Sequence, residues 1–106
     1  MTKKLRNTIV RRMKALVRAF EGTHVTLTYG GYSRRSSILS HYTMISRIGH
    51  TDLESISDVN LVLMCGMFEF AFPAGDYGYT NEQNKAINSL GDAIAELKQS
   101  ERSTAW

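Results

Sequence analysis

Four cations recur along one face of the first twenty residues: Lys4, Arg11, Lys14 and Arg18. A second group follows, in which Tyr29, Tyr32 and Tyr42 interleave with Arg34, Arg35, Arg47, His41 and His50. Arginine forks grip phosphate oxygens, and tyrosine rings give unstacked bases a platform. Together they supply what non-specific binding of a single strand needs, charge to follow the backbone and π-faces to take the bases. Lys4, Arg11, Lys14, Arg18, Tyr32, Arg34, Arg35 and Arg47 are therefore the candidate nucleic-acid-binding residues. The plain alternative is that a basic helix face is a solvated face and that Tyr42 belongs to the core.

Catalytic chemistry has little to work with. His24, His41, His50 and Cys65 include no pair at a zinc-ligand spacing, so no metal and no cofactor are expected. Cys65 lies inside an apolar run and reads as a buried, inert thiol. Gly30-Gly31 ahead of Arg34-Arg35 lacks the pattern of a Walker phosphate loop, and no nucleophile elbow, zinc-protease or calcium-loop motif occurs. Asp52, Glu54, Asp58, Asp92 and Glu96 sit at expected caps or on exposed helix positions. No catalytic residue is assigned, and the expected protein is not an enzyme. A small enzyme using His41 or His50 with a carboxylate would need those groups to converge in space.

The elements that must position the cations are mostly helices. Leu5, Ile9, Met13, Leu16 and Phe20 recur at spacings of three and four, flanked by Val10 and Val17, so residues 3–20 form a helix with one core face. The centre of that apolar stripe lies opposite Lys4, Arg11, Lys14 and Arg18, and Gly22 suits a stop. Residues 24–29 are β-branched and aromatic and read as extended, with Gly30-Gly31 a turn. Residues 32–37 read as a loop or a helix entry. Residues 37–48 favour a helix whose core face is Ile38, Leu39, Tyr42, Ile45 and Ile48, with Gly49 at C′. Thr51-Asp52-Leu53-Glu54 matches a capping box and predicts a short helix. Ser57-Asp58 can cap a buried helix through Phe72, a buried strand pair being the alternative for the apolar run 59–72, and Pro73 ends it either way. Thr80 to Gln83 is another capping box, opening a helix from about 81 to 99. Residues 100–106 read as a mostly polar, flexible tail. The expected fold is mainly α, a single-domain bundle of four to five helices over residues 1–106. A compact α+β domain with a short sheet from residues 24–48 is the alternative.

With 106 residues there is room for one small domain, and one cysteine excludes an internal disulfide framework. The net charge of +3 conceals a division. Residues 1–50 carry ten basic residues and only Glu21 as an acid, giving +9, while residues 51–106 carry three basic and nine acidic residues, giving −6. The basic half calls for an anionic partner. The acidic half can instead neutralise it, within one chain or across a head-to-tail homodimer. No apolar signal core follows the basic start, and the apolar run 59–72 is too short for a span of about 20 residues. A cytoplasmic protein with no membrane partner is expected.

In its size, polarised charge and lack of catalytic motifs, the chain resembles the small accessory proteins of phages and mobile elements, anti-CRISPR proteins in particular. That resemblance covers the whole chain and implies an inhibitor that occupies a surface of a host nucleoprotein complex, a type I interference complex being a plausible target. Groove-blocking inhibitors of this kind are mostly acidic mimics of nucleic acid. The basic first half departs from that pattern and points to the nucleic acid itself, single-stranded DNA above all, or to an acidic protein patch. A protein-binding inhibitor or adaptor that docks by charge complementarity is the competing reading.

Overall fold

The computed structural model describes the backbone of residues 1–22, 32–72 and 78–104, and the side chains of 1–22, 39–72 and 78–100. Four helices run through these residues: α1 (Lys3–Ala19), α2 (Tyr32–Gly49), α3 (Asp58–Ala71) and α4 (Asn81–Thr104). They make a small helical bundle, and no strand occurs among the described residues. The mainly α fold therefore holds. The alternative sheet loses residues 32–48 to α2, while the extended segment 24–29 and the Gly30-Gly31 turn lie outside the described residues.

Local chemistry starts and stops each helix. The Thr2 hydroxyl accepts from the Leu5 N–H at 3.1 Å and caps α1. At the other end the Phe20 and Glu21 N–H groups bond to the Val17 and Arg18 carbonyls, and Gly22 takes a left-handed φ of 74° that favours glycine. The Ser57 hydroxyl accepts from the Asn60 N–H and caps α3. Thr80 and Gln83 form a reciprocal capping box on α4: the Gln83 N–H donates to the Thr80 hydroxyl at 3.2 Å, and the Thr80 N–H donates to Gln83 Oε1 at 3.1 Å. Gln83 is itself buried and donates through Nε2 to the Ala19 carbonyl, so one amide opens α4 and ties it to the end of α1.

The helices pair antiparallel. Arg12 donates to the Ser89 carbonyl at 2.7 Å, Gln83 reaches Ala19, and Leu5 faces Ser100 across a groove, so α1 ascends as α4 descends. Ile9, Met13 and Leu16 on α1 and Leu90, Ala93, Ile94 and Leu97 on α4 are buried in one core. His41 against Phe72 and Arg47 against Met67 run α2 and α3 antiparallel in the same way. Met44, Ile45 and Ile48 bring α2 into the core, and Leu61, Met64, Cys65 and Phe68 bring in α3.

Five expectations need correction. Gly49 is not a left-handed C′ residue but the last residue of α2, and it packs beside Val17, whose Cγ1 lies 3.5 Å from where a Cβ would stand. The Thr51 box opens no helix. Thr51 turns back to donate to the Arg47 carbonyl, and Asp52 builds a single turn instead, accepting from the Glu54 N–H and the Ser55 hydroxyl. The core face of α2 is rotated from the expected one: Leu39 is exposed, whereas His41 and Met44 are buried. Finally, α3 is buried on one side only, since Val59, Leu63 and Phe70 are exposed. The last helix also continues to Thr104, beyond the expected end near 99.

Gly91 lies inside α4 with nothing within 4 Å of a built Cβ. Gly91→Ala should raise stability by about 0.5–1 kcal/mol, the ordinary helical penalty of glycine. Thr80→Ala should lower it by about 1 kcal/mol through loss of the cap. Urea denaturation followed by circular dichroism measures both.

Candidate nucleic-acid interface

The outer face of α1 is built by its inner one. With Ile9, Val10, Met13 and Leu16 committed to the core, Lys4, Arg11 and Arg18 must point to solvent. They stand seven residues apart, two near-complete helical turns, at about 10 Å per step and about 21 Å overall. All three are exposed, and their side chains make no hydrogen bond or ion pair with any described residue.

The other cations of α1 are engaged. Arg6 pairs with Asp58 at 2.6 Å and also donates to the Ile56 carbonyl, which ties α1 to the start of α3. Arg12 is held by the Ser89 carbonyl. Lys14 pairs with Glu54. The acidic half thus neutralises Arg6 and Lys14 within the chain and leaves the line of Lys4, Arg11 and Arg18 unopposed by direct pairs. Ion pairs this exposed contribute about 0–1 kcal/mol, so Lys14 can be drawn from Glu54 to another anion at little cost.

Arg11 is the ridge between two shallow grooves. Towards α4, Thr2, Lys4, Thr8, Arg11, Glu96 and Ser100 border about 420 Å³. Towards the 50–57 connection, Asn7, Arg11, Lys14, Arg18 and Glu54 border about 370 Å³. Each groove offers cations with one carboxylate at its edge. Neither α1 nor α2 has an acid in its first turn, and Lys3, Lys4, Arg34 and Arg35 stand there instead. Cations at a helix N-terminus oppose the helix dipole, and the positive field they add to it favours an anion.

The remaining candidates divide. Tyr32, Arg34 and Arg35 belong to the first turns of α2, with side chains outside the described residues. Arg47 is exposed but stands elsewhere, in the groove between α2 and α3, where Nη1 approaches Met67 Sδ at 3.8 Å. Arg11, Lys14 and Arg18 are brought to one groove and Lys4 to the adjoining one, while Arg47 shares neither.

Of the histidines, His41 and His50 are described, while His24 lies outside the described residues. His41 is buried, stacks on Phe72 at 4.1 Å between centroids, and its Nδ1 hydrogen-bonds with the Tyr79 hydroxyl at 2.8 Å. Burial pulls its pKa below the ordinary 6.5, partly offset by the Ala71 carbonyl. His50 is exposed, and its Nδ1 meets the Ser46 carbonyl of its own helix at 2.7 Å. Cys65 is buried. Among the described residues no cluster of His, Cys, Asp or Glu could hold a metal ion. No described helix is long and apolar enough to cross a membrane. The Asp52 carboxyl is held below its usual range, chiefly by the Ser55 hydroxyl and further by backbone N–H groups and Lys14.

Comparison with protein-family models, curated proteins and solved structures finds no match to this chain.

His41 makes a pH prediction. Its folded pKa is depressed, so the unfolded chain takes up the proton first as pH falls. Its contribution to stability is full above about pH 6.5 and declines as pH drops through that value towards the lowered folded one. Thermal midpoints at pH 7.5 and 5.5 should therefore differ in the native chain, and His41→Gln should reduce that difference.

Proposed function

We propose that this chain is a non-enzymatic nucleic-acid-binding protein whose contact surface is the outer face of α1. The observation that carries the reading is the line of Lys4, Arg11 and Arg18, exposed and without direct partners among the described residues, with Lys14 in a weak surface pair beside it. Backbone phosphates bind such a line without regard to sequence, and Arg11 can serve either adjoining groove. A single strand is favoured over duplex by Tyr32, Arg34 and Arg35 at the start of α2, which add stacking and phosphate contacts, and by the absence of a helix-turn-helix spacing. In a host, a protein with this chemistry acts by occupation. Covering displaced single-stranded DNA would inhibit a type I CRISPR interference complex, in keeping with the anti-CRISPR-like profile. The work would be done in the cytoplasm.

Fluorescence anisotropy with a labelled single-stranded oligonucleotide tests this reading. Three or four neutralised phosphates give a slope of about 2–3 in log Kd against log salt, at about 0.7 per phosphate. Arg11→Glu with Arg18→Glu should weaken binding to every sequence alike, and Tyr32→Ala should weaken single strands selectively. Glu96→Gln should strengthen binding by removing the carboxylate from the Lys4–Arg11 groove. Absence of binding at low salt would instead favour a protein-binding inhibitor or adaptor that docks the same face on an acidic partner.

A further inference from the structure

Helix α3 carries a second apolar stripe that the core does not use. Val59, Leu63 and Phe70 are 71%, 60% and 88% exposed, and Gly66 lies between them. Their steps of four, three and four residues are those of a coiled-coil seam. The opposite side of the helix, with Leu61, Met64 and Phe68, is already spent on the core. An open groove of about 660 Å³ runs beside the stripe, between α3 and α2, with Leu39, 52% exposed, and Met67 among its walls. The exposed apolar side chains amount to roughly 500 Å² for one chain, the size of the largest patch a monomer ordinarily leaves bare.

From this arrangement we infer that the chain is a two-fold homodimer in which α3 packs antiparallel against α3 of a second copy. The stripe is complementary to itself only in that direction. About its midpoint, Phe70 of one copy meets Val59 of the other, and Leu63 meets Gly66, so a large residue faces a smaller one at every contact. Nothing stands within 4 Å of a Cβ built on Gly66, which leaves a hole for the facing leucine. The pairing is isologous and closes at two copies. Complete burial of Val59, Leu63, Phe70 and Leu39 on both copies would remove at most about 1,000 Å², the lower limit of a specific interface. The acids of α3 are engaged within each chain, Asp58 with Arg6 and Glu69 with Lys98, and the cation nearest the stripe is Arg47, on the α2 wall of the groove. Antiparallel helices also place opposite dipole ends side by side.

Sedimentation velocity on nuclease-treated protein tests the inference. It should be run up to about 100 µM, well above the micromolar dissociation constant of a weak interface. The native chain should pass from 11.9 kDa to twice that mass as concentration rises. Phe70→Glu and Val59→Lys lie on exposed positions, so each should remain helical by circular dichroism and sediment as a monomer. A native chain that stays monomeric at this concentration overturns the proposal. So does a dimer that survives Phe70→Glu.

Discussion

The basic face of this molecule is positioned by the antiparallel packing of α1 on α4. Ile9, Met13 and Leu16 are completely buried, as are Leu90 and Ala93 of the facing helix. A helix with that stripe locked into a core has no rotational freedom, so the direction of Lys4, Arg11 and Arg18 follows from the burial of their neighbours. Two polar contacts fix the register, Arg12 on the Ser89 carbonyl and Gln83 on the Ala19 carbonyl. Fully burying one aliphatic side chain of this kind contributes about 1.5–3 kcal/mol, whereas each surface ion pair contributes about 0–1. Apolar contact therefore orients the basic face, and the ion pairs only trim its charge.

The division of charge along the chain becomes a division of roles in space. Arg6 and Lys14 are answered by Asp58 and Glu54, acids from the second half, and these pairs join α1 to the connection that carries α2 into α3. The unanswered cations, Lys4, Arg11 and Arg18, run along the outer face of the same helix, beside Lys14 and away from Arg6. The exposed apolar residues, in contrast, are on α3 and α2. One surface is basic and another apolar, and the residues lining the two sets of grooves do not overlap.

Much of this was legible in the sequence where one strong signal acted alone. The α1 stripe reads cleanly because its apolar and basic residues fall on opposite sides. Ser57 and the Thr80–Gln83 box cap the helices they were expected to cap. Legibility failed where chemistry and hydropathy diverge. In α2 Ile45 and Ile48 take the expected core places and Tyr42 packs beside them, but the core also takes His41, stacked on Phe72 and hydrogen-bonded to Tyr79, and leaves Leu39 outside, so the apolar pattern missed one edge of the buried face. In α3 nearly every residue is apolar, which hides the boundary between the stripe that is buried and the one that is not. At 51–54 two side chains competed for the cap, and Asp52, with two acceptor oxygens, displaced Thr51. Of the site, the sequence showed which cations exist, but not that Arg6 and Arg12 are tied to the fold or that Arg47 stands apart. Those facts depend on which helix lies within reach.

The central claim is that the outer face of α1 is the contact surface for nucleic acid. The most direct measurement is a titration of the isotopically labelled chain with a short single-stranded oligonucleotide, followed by backbone amide chemical shifts. The account predicts that shifts concentrate on the amides of residues 4, 8, 11, 14 and 18 and vanish at high salt, with the outer stripe of α3 unmoved. Shifts centred on α3, or no salt-sensitive shifts on α1, would contradict it.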